Sequence, residues 1–410
     1  MNLNDTPQQA EFRAQVRLWI EKEVPANLKN LKQAIVQGPG ISHEGLKPIE
    51  DALAKRGWNA PGWPKEHGGA GFDLGQLVIF YEECAKAGMP DHHTNGLDML
   101  GPILMKYGTQ EQKDKFLKGT ALGEILWAQG YSEPQAGSDL ASLALKAEIV
   151  PGGFILNGQK IWTSKAHEAD WLFMLARTDP KAKKKQDGIS FLLVKLDTPG
   201  IEVRPIRTMD GFTHFCETFF DNVKVPNTNL VGELHKGWEV AKALLGHERF
   251  THPTANPLLH MNAIENLKSD ARRIEDGDGV VWDNPVLRRK VAALEMDVDC
   301  LKYTRYRALT KVQKGEAPGP ETQILKMFGA ELMQRIVEAH QEVAGPLGIE
   351  WDGTEQGNGP GEVARHGANI RGATLRGGTT EVQRNVVVKR VLNLPDGKRA
   401  GEGERKAPSR

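Results

Sequence analysis

Short strand-like segments with no helix between them fill the middle of this chain, and helical patterns lie on both sides. Between about residues 122 and 235 the segments WLFMLART, GISFLLVKL, IEVRPI and ETFFDNVKV are separated by turn signals. Successive strands without crossover helices pair antiparallel in a sheet or small barrel. The chain is therefore predicted to be α+β, with a central antiparallel β domain between two helical domains.

The expected domain limits follow from these changes of pattern. The expected units are an N-terminal helical domain over 1–121, the β domain over 122–235, a C-terminal helical domain over 236–395 and a tail over 396–410. The tail has almost no apolar residues, so it is expected to be disordered. Five long helical patterns are predicted in the C-terminal part, at 237–250, 257–275, 285–314, 320–344 and 380–392.

Local signals predict where several elements begin. Thr6 and Thr109 each open a capping box, and Asp73 is a candidate cap for the helix that follows it. Asn157-Gly158 lies inside FILNGQKIW and is typical of a two-residue hairpin turn, so a hairpin is predicted there.

Charge and hydropathy exclude several classes of protein. The 410 residues include 53 Lys+Arg and 53 Asp+Glu, which argues against a general nucleic-acid binder. No run approaches 18 apolar residues, so no membrane span is expected. The polar start MNLNDTPQQAEF does not resemble a secretory signal. Three cysteines without a CxxC pair fit a reducing cytoplasm.

The segment HERFTH superficially resembles a metal site. Two zinc-binding histidines on a helix are spaced by four residues, as in HExxH. Here His247 and His252 are five apart, which rotates the second ring off the face of the first. No metal site is expected.

Four sequence motifs contain residues suited to ligand binding or catalysis. They are GYSEPQAGSD at 130–139, NGQKIWTS at 157–164, FFDNVKVP at 219–226 and GGTTEVQRNVVVKRVL at 377–392. Together, in this order and spacing, they resemble the signatures of the acyl-CoA dehydrogenase family, and the similarity runs from about residue 6 to 394. The subgroup that this chain resembles is bacterial, like the large subunit of pimeloyl-CoA dehydrogenase.

The resemblance implies a fold and an activity. The family has an N-terminal helical domain, a central β domain and a C-terminal four-helix bundle. Its members bind FAD, oxidise acyl-CoA thioesters to trans-2-enoyl-CoA and pass electrons to an electron-transfer flavoprotein. They assemble as a homotetramer or as a heterotetramer with a second acyl-CoA dehydrogenase-like subunit. An oxidase, a flavin monooxygenase or a non-catalytic partner subunit on the same fold remain alternatives.

The resemblance also implies a set of cofactor residues. Trp162 would pack on the flavin ring, Ser138 would meet both cofactor and thioester, and Thr379 would hold the diphosphate. Arg273 is a candidate for an arginine that reaches the FAD of a neighbouring subunit. The full expected set is Gln129, Tyr131, Ser132, Ser138, Trp162, Thr163, Ser164, Arg273, Thr379 and Glu381.

The catalytic base departs from the usual pattern. Removing an α-proton needs a positioned carboxylate, and most relatives carry a glutamate where this chain has Gly377. A minority carries it on another helix, directly before an arginine, which corresponds here to Glu248 and Arg249. Glu248 is therefore the expected base. Arg249 is expected to orient the site, and the expected substrate-binding residues are Ser138, Arg249, Gly377 and Gly378.

Overall fold

The structure is a computed structural model. It describes residues 5–28, 43–90, 95–251, 255–314, 322–351 and 361–395, and of residues 246–251, 312–313 and 361–362 it describes the backbone alone. The predicted tail over 396–410 lies outside the described residues.

Five α-helices form the first part of the described chain. They are α1 Pro7–Glu23, α2 His43–Ala54, α3 Leu74–Lys86, α4 Gly101–Tyr107, which continues a π-helical segment over Asn95–Leu100, and α5 Gln110–Ala121. The predicted starts are confirmed, because the Thr6, Asp73 and Thr109 side chains each accept a hydrogen bond from a backbone N–H three residues on. Each cap satisfies an amide that the first helical turn leaves without a partner.

A mostly antiparallel sheet forms the middle part. Its strands are β1 Trp127–Gly130, β2 Lys146–Val150, β3 Gly153–Ser164, β4 Trp171–Arg177, β5 Ile189–Lys195, β6 Ile201–Ile206, β7 Phe215–Pro226 and β8 Leu230–Val231. In the described ranges the strand order is β6-β7-β3-β2-β4-β5-β8, and β1 pairs with β4. The β1–β4 and β2–β4 pairs are parallel, and the other pairs are antiparallel.

The hairpin predicted at Asn157-Gly158 is wrong. The chain continues as one long strand, β3, through both residues and pairs with β7 along most of its length. The register shifts between Leu156 and Gly158, and Gly158 has φ +142°. The glycine therefore serves a bulge rather than a turn, because pairing with β7 outweighs the local turn preference.

Helices return after the sheet. They are α6 Gly237–Thr251, α7 Pro257–Arg273, α8 Pro285–Gln313, α9 Thr322–Ala344, α10 Gly361–Ile370 and α11 Thr380–Arg390. A two-stranded hairpin, β9 Glu275–Asp276 and β10 Gly279–Val280, joins α7 to α8. Helix α9 is central, and it packs against α6, α7, α8, α10 and α11. Within the described ranges, no helix combines the length and the apolar character needed to cross a membrane.

One hydrophobic core joins the first helices to the sheet and to α6. It includes Trp63 from the loop before α3, Phe116 of α5, Phe191 of β5 and Leu244 of α6. Since side chains from all three parts of the chain fill the same interior, their relative placement is fixed by packing.

Gly101 gives a test of this core. A Cβ atom at Gly101 would lie 1.8 Å from Cζ2 of Trp63, a buried ring that also donates a hydrogen bond from Nε1 to the Leu97 carbonyl. A glycine-to-alanine change inside a helix ordinarily stabilises by up to about 1 kcal/mol. Here overpacking dominates, so Gly101→Ala is expected to lower the free energy of unfolding by about 1–3 kcal/mol.

Denaturant unfolding followed by tryptophan fluorescence measures the effect. Gly137→Ala is the matched control, because a Cβ there meets no atom within 4 Å. An unchanged unfolding midpoint for Gly101→Ala would contradict the close contact with Trp63.

Candidate active site

A buried ion pair anchors the loop that contains the GYSEPQAGSD motif. The Lys160 Nζ of β3 donates to Glu133 Oε1 at 2.7 Å and to the Tyr131 carbonyl at 3.1 Å. The same carboxylate accepts hydrogen bonds from the backbone N–H groups of Ala144 and Leu145, at 2.6 and 3.0 Å. Both ends of the loop are thereby tied to β3.

Lys160 carries a positive charge in an apolar environment. Its side chain is fully buried, and this burial lowers the pKa of Lys160 to about 8 although the Glu133 carboxylate opposes the shift. A buried ammonium group is tolerated only when it is paired and hydrogen-bonded. The pair therefore serves to fix geometry at the loop.

The far end of the same loop is held by Arg177 of β4. Its guanidinium donates to the Ala141 carbonyl at 2.7 Å and to the carbonyls of Lys185 and Asp187 at 2.8 Å each. Ser138 lies on the exposed stretch between the two anchor points. Its hydroxyl is thus presented to solvent on a loop whose backbone is fixed on both sides.

Trp162 presents a flat apolar surface. It lies in a second irregularity of β3, between Lys160 and Thr163, with φ +60° and a side chain that is 52% exposed. Its ring meets Phe215 edge-on, with centroids 5.8 Å apart. A bulky residue with positive φ is strained, and such strain is kept only where surrounding contacts determine the backbone.

The neighbours of Trp162 divide between the buried and the open side of the strand. Thr163 is buried, and its hydroxyl donates to the Cys216 carbonyl at 2.7 Å. Ser164 is half-buried and pairs with Phe215. The Ser132 carbonyl accepts a hydrogen bond from the Ile161 N–H at 2.9 Å, which brings the loop against this part of β3.

Tyr131 and Gln129 differ in what they offer. The Tyr131 ring is buried and packs edge-on against Phe173 and Phe191. Gln129 lies half-buried on β1, opposite Phe173. The Tyr131 side chain therefore belongs to the shared core, whereas its carbonyl belongs to the anchor of the loop.

A turn of two glycines precedes α11. Gly377 and Gly378 have φ of +62° and +88°, the left-handed region that favours glycine. Lys326 of α9 donates to the Gly378 carbonyl at 2.6 Å, and Gln383 donates to the Gly377 carbonyl at 3.1 Å. Thr379 caps α11 by accepting from the Val382 N–H at 3.2 Å. The turn is fixed from both α9 and α11.

Of the remaining residues expected from the sequence, two are exposed, and two have side chains that the structure does not describe. Arg273 is exposed at the end of α7 and pairs with Asp270 at 3.0 Å. Glu381 is exposed in the first turn of α11. Glu248 and Arg249 belong to α6, but the structure describes only their backbone and not their side chains.

A polar seam between the sheet and α10 was missed by sequence reasoning. The buried Asp210 accepts hydrogen bonds from the Thr208 hydroxyl, the Phe212 N–H and the Asn369 amide, and Asn369 in turn accepts from Arg376. Asp210 and Asn369 are more than 150 residues apart in the sequence. No local pattern marks such a pair.

His214 lies beside this seam. It is buried, and burial, with the positive charges of Lys165 and Arg376, lowers the pKa of His214 to about 4. The imidazole is therefore neutral at pH 7. In the described residues, its Nε2 has no hydrogen-bond partner.

Comparison with known proteins identifies the class. Family models for the N-terminal, middle and C-terminal domains of acyl-CoA dehydrogenases match residues 6–124, 128–223 and 235–392. The acyl-CoA dehydrogenase IpdE1 of Mycobacterium tuberculosis is 37% identical over 391 residues, covering 94% of this chain and 97% of the relative.

Solved structures agree. The Tcur3481-Tcur3483 steroid ACAD superposes with a TM-score of 0.82 at 30% identity, covering 96% of this chain and 100% of that chain. The ChsE4-ChsE5 complex from Mycobacterium tuberculosis gives a TM-score of 0.79 at 31% identity, with coverage of 96% and 100%. The chain belongs to the acyl-CoA dehydrogenase family. It is an oxidoreductase that uses FAD.

The described residues fit a flavin. An isoalloxazine ring is flat and apolar with a polar edge, and the exposed Trp162 face beside Ser164 and Ser132 offers both kinds of contact. The unpartnered His214 Nε2 supplies a further polar group next to Phe215. These residues would hold and orient the cofactor, which carries the redox chemistry.

The Glu133–Lys160 pair gives a test of how the loop is held. Glu133→Gln leaves a buried ammonium group unpaired and is expected to lower the free energy of unfolding by about 3–5 kcal/mol. The double variant with Lys160→Met is expected to lose clearly less than the sum of the two single variants, because the interaction is removed only once.

The exposed pair Lys146–Glu148, 2.6 Å apart, is the matched control for this cycle. Removing its charges is expected to change the free energy of unfolding by less than about 1 kcal/mol. Strict additivity of the Glu133 and Lys160 variants in denaturant unfolding would show that the two groups do not interact.

Proposed function

We propose that this enzyme converts an acyl-CoA thioester to the trans-2-enoyl-CoA and that Glu248 removes the α-proton. Bound FAD would supply the acceptor for the β-hydrogen, which leaves as a hydride, at flavin N5. The observation that carries the base assignment is Gly377. This position has no side chain and a φ of +62°, so it supplies no carboxylate, and the chain carries a Glu-Arg pair on α6 instead.

Helix packing supports this assignment. Helix α6 contacts β5 and α9, and Lys326 of α9 donates to the Gly378 carbonyl. Helix α9 thus contacts both α6, the helix that carries Glu248, and the turn that contains Gly377. We infer that backbone N–H groups of the Gly377-Gly378 turn and the Ser138 hydroxyl bind the thioester side, and that Arg249 orients α6. Donors at the thioester oxygen would stabilise the charge that develops as the proton leaves.

We infer the remaining cofactor contacts from the same arrangement. Gln129 and Ser132 would line one edge of the flavin, with the Tyr131 backbone between them. Ser164 would bond near N5, beside Thr163. At the start of α11, Thr379 would face the diphosphate and Glu381 would lie on the adenosine side. A helix N-terminus favours an anionic group there.

The acyl group is proposed to be large and cyclic, of the steroid side-chain type. The support is the similarity to a structure named a steroid ACAD. A panel of straight-chain, branched, dicarboxylic, aromatic and steroid CoA thioesters, read by flavin bleaching, tests this. Bleaching by the straight-chain thioesters alone would overturn the substrate class and leave the reaction type standing.

We also propose a heterotetramer in which a second acyl-CoA dehydrogenase-like subunit completes the FAD site. The family usually has an arginine-containing R-x-Q-F-G segment after α7 that reaches a neighbouring FAD. Here Arg273 pairs with Asp270, and the hairpin that follows is acidic at Glu275 and Asp276. Carboxylates repel a diphosphate, so this segment suits FAD poorly. One FAD per chain in a purified homotetramer would contradict the proposal.

The electron acceptor is proposed to be an electron-transfer flavoprotein, and the location the cytoplasm. The resemblance supports the acceptor, and three cysteines without a CxxC pair support a reducing compartment. Turnover with oxygen alone, with stoichiometric peroxide, would instead identify an oxidase.

Glu248→Gln tests the base. The variant keeps nearly the same shape, so FAD and thioester binding are expected to persist. Turnover is expected to fall by about 10²- to 10⁴-fold, the usual contribution of a general base. Single-turnover flavin reduction measures the step directly.

The matched control is Glu239→Gln, an exposed glutamate on the same helix, which is expected to leave turnover unchanged. Near wild-type flavin reduction by Glu248→Gln with FAD bound would exclude Glu248 as the base.

A further inference from the structure

Arg376 directly precedes the Gly377-Gly378 turn and is half-buried. Its Nη2 donates to the Asn369 carbonyl at 2.9 Å and to the Asn369 side-chain oxygen at 3.0 Å. Both acceptors are neutral. Among the residues that the structure describes, no carboxylate forms an ion pair with this guanidinium. Burial lowers the pKa of Arg376 from its ordinary value, but a guanidinium group stays protonated at pH 7.

The nearest negatively charged group, Asp210, does not pair directly with Arg376. Asp210 is buried, and one of its oxygens accepts from the Thr208 hydroxyl and the Phe212 N–H. The other oxygen accepts from the Asn369 amide. Asn369 therefore stands between the carboxylate and the guanidinium and bonds to both, so the two charges do not meet directly.

The guanidinium lies close to the face proposed for the flavin. Its Cζ lies over the Phe215 ring, 5.8 Å from the centroid, and Phe215 meets Trp162 at a centroid distance of 5.8 Å. Burial lowers the pKa of the neighbouring His214, so this ring adds no charge of its own at pH 7. Phe215 thus lies between the exposed Trp162 ring and a cation that has no direct ion pair.

We propose that Arg376 raises the reduction potential of FAD bound against Trp162, acting through its charge rather than by contact with the substrate. The inference rests on the proposed function. In that reaction the α-proton goes to the base and the β-hydrogen leaves with two electrons, so the cofactor gains one negative charge. A positive charge held nearby in a poorly solvated site favours that gain. Asn369 acts as a positioning residue, because it holds Arg376 without neutralising it.

The test is the midpoint potential of the FAD-loaded protein, measured against a reference dye. Arg376→Met removes the charge and keeps the length of the side chain. The equilibrium constant for two-electron reduction is expected to fall about tenfold, which is about 30 mV for a two-electron couple. Arg376→Lys, which keeps the charge, is expected to restore most of the potential.

Arg365→Met is the matched control. Arg365 crosses the same seam, donating to the Asp210 carbonyl at 3.1 Å, but its guanidinium lies over Phe212 and Trp351. It is expected to leave the potential unchanged. A seam that merely loosens would affect both arginine variants alike and would move the unfolding midpoint together with the potential.

Each outcome is decisive. A wild-type potential in Arg376→Met with FAD bound overturns the inference. If that variant loses FAD, Arg376→Gln is compared with Arg376→Lys, and equal potentials in these two overturn it as well. A wild-type protein that binds no FAD, either alone or assembled with its second subunit, refutes the proposed function instead, so the two failures are distinguishable.

Discussion

The buried pair between Lys160 and Glu133 is the interaction on which the rest of the site depends. Removing both charges from water is costly, and the cost is offset only because every polar atom finds a partner nearby. The pair joins the middle of β3 to both ends of the loop after β1. Two residues further along β3 lies Trp162 with its strained backbone. The loop and the aromatic face are therefore set by the same short stretch of strand.

Local signals in the sequence predicted local structure well. The caps at Thr6, Asp73 and Thr109 depend on groups within three residues of each other, so a short window contains all the information they need. The turn expected at Asn157-Gly158 failed because its outcome depends on β7, about 60 residues away. A local turn preference contributes little free energy compared with the pairing of an entire strand with a hydrogen-bonded neighbour.

The same distinction separates the parts of the site. The motif loop and the Trp162 strand could be located from sequence words, and the structure brings them together at Ser132 and Ile161. The link between Asp210 and Asn369 could not, because an aspartate and an asparagine 159 residues apart have no pattern in common. The burial of the Tyr131 and Thr163 side chains was also beyond prediction, since it depends on which face of the fold each residue joins.

The shared core has a consequence for dissecting this protein. Trp63, Phe191 and Leu244 come from segments matched by three different family models, yet they fill one interior. A fragment cut at those limits would expose the apolar side chains that it contributes to that interior. An isolated middle fragment would also lose the amide that Asn369 supplies to Asp210. The three matched segments share one core and are therefore not expected to fold separately. Exchanging one between relatives would succeed only if both sides of the shared core were exchanged with it.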